Sequence, residues 1–192
     1  MRLRILAFSL IALVAAALAQ EVAHESPAPA GLGERLAEVV RQGIDTADPA
    51  VREALVPVLA AWIAQSRDAA IARGVAEMPV EIRAAFEQFI PARILETVRW
   101  RVDGDTGVLG RIVFQPGAIR AVTLDNVIVF ANAGEAANIR LWAHELHHVT
   151  QYSRWGVAGF AERFIADRRT IEHEAREFRW SWMRSTGRIP RV

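Results

Sequence analysis

The sequence predicts an α+β fold, mostly helical, with a small sheet or hairpin placed before the helix that carries the chemistry. Three observations predict it. Apolar residues recur at helical spacing up to about residue 90 and again from residue 134. Between them, over residues 98–130, the period falls to two and turn residues separate short apolar runs. With 52% hydrophobic and 23% charged residues over 192 positions, the chain can bury a real core as one domain.

Residues 1–19 open with Arg2 and Arg4, continue as an apolar run broken only by Ser9, and end Ala17-Leu18-Ala19. A basic start, a short apolar stretch and a small-x-small end predict a secretory signal peptide. The run is shorter than the ~20 residues that span a bilayer. The protein is therefore expected to be exported, working in the periplasm or outside the cell. Residues 20–33, with Pro27, Pro29, Gly31 and Gly33, read as a flexible leader. The rest, 34–192, reads as a single domain with a helical N-terminal part, 34–95, and a part carrying the chemistry, 96–192.

Residues 34–42 carry Leu36, Val39 and Val40 at helical spacing, and Gly43 can stop that helix. A stronger helix begins at Asp48-Pro49, a favoured cap followed by a first-turn proline. Val51, Leu55, Val58, Leu59, Trp62 and Ile63 form its stripe, Pro57 is expected to kink it and Gly74 to stop it. A third runs from Pro79 through Ile82, Ala85, Phe86 and Phe89. Val98, Trp100 and Val102 then alternate with Arg99 and Arg101, as in a half-buried strand. Residues 103–107 form a turn cluster; Phe114 stands where a calcium loop would need its last glutamate. Residues 111–114 suit another short strand, and 121–130 a hairpin bent at Leu124-Asp125-Asn126. The next helix is expected over about 135–152.

Residue types narrow the chemistry. There is no cysteine, and all 23 basic residues are arginine. Thiolate metal sites, cysteine nucleophiles, lysine Schiff bases and P-loops are excluded. A net charge of +1 gives no reason to expect nucleic acid. Any metal must be held by histidine and carboxylate.

Residues 144–148 read His144-Glu145-Leu146-His147-His148, the pattern H-E-x-x-H. Positions four apart on a helix are neighbours, so His144 and His148 can aim their rings at one ion. Glu145 is rotated from that line and can take a proton from a zinc-bound water. A catalytic zinc normally has three protein ligands. The H-E-x-x-H-x-x-G-x-x-H extension is excluded by Gln151 and Arg154. The remaining source is Thr170-Ile171-Glu172-His173-Glu174-Ala175, where Thr170 can cap a helix continuing through Phe178 and Trp182. Glu172 ranks first as the third ligand, Glu174 second, and His173 third because it faces away by a helical step. Glu162 follows His148 too closely. No partner for the ligand histidines is identifiable. Asn132 reads as a loop cap, Tyr152 as a structural aromatic and His147 as a solvated neighbour. Gln151 reads either as a tie from its helix to the hairpin or as a solvent-facing side chain.

These segments, with Ile128-Val129-Phe130 before Ala143-His144-Glu145-Leu146 and Gln151, and Glu172 to Ala175 downstream, resemble a bacterial family of uncharacterised zincin-like metallopeptidases. The Glu-x-x-Ala step also resembles the gluzincins. The resemblance covers about a third of the chain. It implies a zinc site of His144, His148 and Glu172, one zinc per chain, with Glu145 as base. It also implies that Val127 to Phe130 holds an extended peptide by strand pairing. Gluzincins often carry an acid four residues after the ligand glutamate; Arg176 stands there instead.

The function expected is zinc-dependent hydrolysis of peptide bonds in a peptide or protein substrate. The alternative is a non-catalytic zincin-fold protein that binds zinc or serves a structural role in the envelope. Arginines crowd the last thirty residues or so, with Trp180 and Trp182 among them. A solvated face is the expectation, against a weak contact with an anionic envelope surface.

Overall fold

The computed structural model describes residues 49–102 and 120–188. The expected signal peptide, leader, helix at 34–42, turn at 103–107 and strand at 111–114 all fall outside the described residues. The fold is the α+β arrangement expected: helices around a small mixed sheet that precedes a long C-terminal helix.

Helix α1 (Pro49–Ala72) starts at the predicted proline and gives way before Gly74, whose φ of 91° is left-handed. The expected kink does not break it. Pro57 and Glu53 are exposed, so the carbonyl that Pro57 leaves unpaired meets water and the helix continues. Strand β1 (Ala76–Glu77), helices α2 (Val80–Phe86) and α3 (Ala92–Leu95), and strand β2 (Arg99–Val102) follow. The hairpin is β3 (Ala121–Leu124) and β4 (Val127–Phe130). Asp125 turns it with φ 57°, and its carboxylate pairs with Arg67 of α1 at 2.8 Å.

The sheet order is β1-β2-β4-β3, with β2 parallel to β4 and the outer pairs antiparallel. This corrects one expectation. Val127 to Phe130 is paired on both sides and wholly buried, so it offers no edge for an extended peptide. An unbroken Val-Ile-Val-Phe run is the mark of a strand covered on both faces. Among the described residues, the free edge of the hairpin belongs to β3.

Alternation along β4 feeds two cores. Val127 and Val129 join Leu55, Val58, Leu59 and Ile63 of α1. Ile128 and Phe130 join Phe86, Leu95, Trp142 and Leu146. β2 is covered too: Trp100 packs on Phe130 and Trp142, while Arg101 donates to the Ala70 and Gly74 carbonyls at the end of α1.

Short helix α4 (Ala133–Ala136) is capped by Asn132, which accepts from the Glu135 amide at 3.0 Å. The chemical helix therefore begins later than predicted. It is the first arm of α5 (Ile139–Ser185), and Asn138 caps it by accepting from the Arg140 and Leu141 amides. Removing that acceptor, Asn138→Ala, should cost about 1 kcal/mol. It should lower the melting temperature by about 2–4 °C in a thermal scan.

α5 is not straight. Gly156 (φ 68°, ψ 172°) and Asp167 (φ −155°, ψ 78°) leave helical geometry and divide it into three arms. Asp167, not Thr170, caps the third arm; its carboxylate accepts from the Thr170 amide and hydroxyl at 3.0 and 2.6 Å. The two turns send the third arm back along the first. Gln151 meets Ile171 and Glu174, and Arg140 reaches the carbonyl of Arg188.

Candidate metal centre

On the first arm, one helical turn separates His144 from His148, and their Nε2 atoms lie 3.2 Å apart. The third arm presents Glu172 to both: Oε2 is 3.4 Å from His144 Nε2, and Oε1 is 3.7 Å from His148 Nε2. These three side chains form a group that could hold a metal ion. Burial works to raise the Glu172 pKa. The contact with His144 and the charge of His148 outweigh it, and the carboxyl lies below its ordinary value. Glu172 is thus held as a carboxylate, the form that binds a cation.

Glu145 is 4% exposed, and its Oε2 accepts a 2.7 Å hydrogen bond from the Thr123 hydroxyl on β3. Burial raises its pKa, against the charge of His148 and the Thr123 hydrogen bond. The edge strand therefore orients the one carboxylate on the first arm that sits beside both histidines. Tyr152 completes this corner, donating to the Thr123 carbonyl at 3.4 Å and stacking on Phe160 at 3.8 Å. Its hydroxyl is turned to the backbone, as a structural aromatic's would be.

The sequence reading missed the partner of His148. Gln151 Nε2 donates to Glu174 Oε2 at 2.8 Å and to the Ile171 carbonyl at 3.4 Å. With two acceptors on that side, the amide oxygen must face His148. The ring Nδ1, 2.8 Å away, then carries the hydrogen and donates to Gln151 Oε1. In the neutral ring, the form that binds a metal, His148 Nε2 then turns its lone pair toward Glu172 and His144. Gln151 is 3% exposed, so neither alternative set for it, a tie to the hairpin or a solvent-facing side chain, holds. The spacing of Gln151 from His148 was the available signal; what hid it was the unknown position of Glu174.

Glu174 is thus outside the histidine pair and acts through Gln151, a carboxylate support supplied where Arg176 cannot supply one. His147 is no solvated neighbour: its ring packs on Phe178 and its Nε2 lies 3.9 Å from Glu174. Burial, then the charge of His148, lower its pKa to about 4. His173 and Glu162 are exposed and stand apart from the group. Replacing Gln151 by alanine should weaken metal affinity by about 10–100-fold, with the ligands intact. Titration of a divalent ion against a chelating dye checks it.

A family model described as eCIS core domain matches residues 77–156. That stretch runs from β1 through the first arm and includes His144, Glu145 and His148; Glu172 and Glu174 lie beyond it. No curated protein and no solved structure matches the chain.

Proposed function

We propose that this chain is an exported zinc-dependent peptidase. The observation that carries the reading is the spacing of the three donors beside a buried glutamate. A tetrahedral ion with ligands at 2.0–2.1 Å separates them by about 3.3–3.4 Å. The two imidazole Nε2 atoms stand 3.2 Å apart, and Glu172 brings Oε2 to 3.4 Å from His144 and Oε1 to 3.7 Å from His148; with one donor atom from each residue, all three lie within 4.8 Å of one another. Two imidazoles and one carboxylate are a donor set that zinc favours, and no cysteine is available to compete.

Bound there, zinc would polarise a substrate carbonyl and make a water more acidic. The chain's own residues do the rest. His144, His148 and Glu172 hold the ion. Gln151, braced by Glu174, fixes the His148 ring. Glu145 takes a proton at the carboxylate oxygen that Thr123 does not occupy and passes it to the leaving amine. Burial of Glu145 raises its affinity for that proton. The edge of β3, which carries Thr123 and is unpaired among the described residues, is where a peptide would add by main-chain pairing.

Export rests on the signal-like residues 1–19. It is supported by the matched family's description, which names an extracellular contractile injection system core. Nucleic acid is not part of the reading. A second reading, a zinc-holding protein without catalysis, is favoured by one observation: the family match covers the histidines but stops before Glu172.

The test is metal analysis joined to cleavage of a mixed peptide library. Purified protein should hold about one zinc per chain. Glu172→Ala should lose it, Glu174→Ala should keep it with lower affinity, and a chelator should stop cleavage. Zinc bound with no cleavage of any peptide would establish the second reading instead.

A further inference from the structure

The stripes that hold the metal group do not end at it. On the first arm, Arg140 precedes His144 by one helical turn, as His144 precedes His148. On the third arm, Arg176 and Arg179 follow Glu172 by one and two turns. The arms run in opposite directions, so the two stripes leave the metal group together, toward the start of α5. Arg120, just before β3, stands at the same end.

Arg120 is answered by a carboxylate, and Arg176 in part by the charge of Glu172 one turn before it. Arg120 holds Glu135 through three hydrogen bonds of 2.6–2.9 Å. Arg140 reaches only a carbonyl among the described residues, at 3.5 Å. Among the described residues, Arg176 and Arg179 make no hydrogen bond and no ion pair; Arg179 lies over the Trp180 ring at 5.9 Å. Arg179 is also half-buried. Burial, then the charges of Arg120, Arg176 and Arg140, hold its pKa below the ordinary arginine value. Gathering like charges around a partly desolvated guanidinium opposes folding. Such an arrangement is relieved by an anion, and planar guanidinium groups suit a carboxylate in particular.

We propose that Arg140, Arg176 and Arg179 form a subsite for carboxylates of the peptide bound at the metal group, so that acidic residues on one side of the scissile bond are preferred. That the bound peptide is cleaved rests on the peptidase reading; the capture of an acidic peptide does not. Arg120 is tied to Glu135 and serves as part of the wall. The preference is electrostatic at a partly exposed surface, so it weakens as salt rises.

The test uses the zinc-loaded full chain carrying Glu145→Gln, which binds without turnover. Three fluorescent peptides differ only in a Glu-Glu, Gln-Gln or Lys-Lys pair beside the central bond. Anisotropy should show the Glu-Glu peptide binding about tenfold tighter than Gln-Gln at low salt. The preference should collapse with Arg176→Gln and Arg179→Gln combined. Arg140→Gln, on the other arm, should reduce it in part and serves if the double variant misfolds by circular dichroism. With Arg176→Glu and Arg179→Glu, Lys-Lys should become the preferred peptide. Equal binding of the three peptides overturns the subsite, as does a preference that survives every arginine variant. Inorganic phosphate binding with no peptide preference overturns it too. Acidic preference without cleavage by the wild type would sink the peptidase reading and leave the subsite; cleavage without preference would do the reverse.

Discussion

Glu145→Gln is expected to keep its metal and lose about 10²–10⁴-fold in peptide hydrolysis, the usual contribution of a positioned base. The substitution is close to isosteric. Glutamine can still accept the Thr123 hydroxyl at the place of Oε2, so the corner formed by Thr123, Glu145 and Tyr152 stays intact. What is lost is the ability to take a proton. The three donors of the metal group are untouched. A variant that loses zinc, or one that still cleaves at the wild-type rate, would sink the role given to Glu145.

The same substitution carries a stability consequence of definite sign. Burial raises the Glu145 pKa in the folded chain above that of the unfolded chain. The folded state therefore binds the proton more tightly, and ionisation opposes folding. Stability from this group is fully present below the ordinary carboxylate range and is lost as pH rises through the raised folded value. In chelator, at pH 7, metal-free Glu145→Gln should melt at or above the wild type; near pH 4 the two should converge. Thermal scans at the two pH values check it, and a variant that melts well below the wild type at pH 7 would contradict the sign.

How much of this was legible in the sequence follows from which interactions are local. His144, Glu145 and His148 are set by one helical turn, and their placement needs nothing beyond that period. The hairpin was legible for the same reason: Asp125-Asn126 between two apolar runs fixes a turn without reference to the rest of the chain. Glu172 ranked first for want of another ligand, yet its approach depends on the turns at Gly156 and Asp167. Residues on both sides of those turns keep a helical pattern, so the sequence does not announce the reversal. Gln151 and Glu174 were hidden by the same turns, because their contact exists only once the third arm lies back on the first. The order of strands was hidden because β2 and β4 pair in parallel across a long connection. Nothing local distinguishes an interior strand from the edge strand beside it, apart from the continuous apolar run.

Trp142→Ala is expected to cost about 3–5 kcal/mol, the largest loss of stability foreseen for one side chain here. Trp142 is fully buried, with ring centroids 4.7 Å from Phe130 and 5.7 Å from Trp100. Its indole N–H donates to the Ala136 carbonyl at 2.7 Å, tying α4 to the first arm. Alanine leaves a cavity between sheet and arm and strips that carbonyl of its donor. For a chain of this length the melting temperature should fall by about 6–20 °C, whereas Trp142→Phe, which refills most of the space, should fall much less. Typical domains have only about 5–15 kcal/mol in all, so a large share of Trp142→Ala molecules should be unfolded on warming. The metal group should survive in the folded fraction. His144 and His148 are placed by the arm itself, and the Gln151–Glu174 brace lies at the arm's far end, away from the cavity. At low temperature and saturating zinc, activity per folded molecule should therefore stay near that of the wild type. Glu145→Gln does the opposite, abolishing activity in a chain that melts normally. If Trp142→Ala instead lost zinc while still folded, the first arm would owe its register to the sheet, and the site would not be the local device that one helical turn makes it.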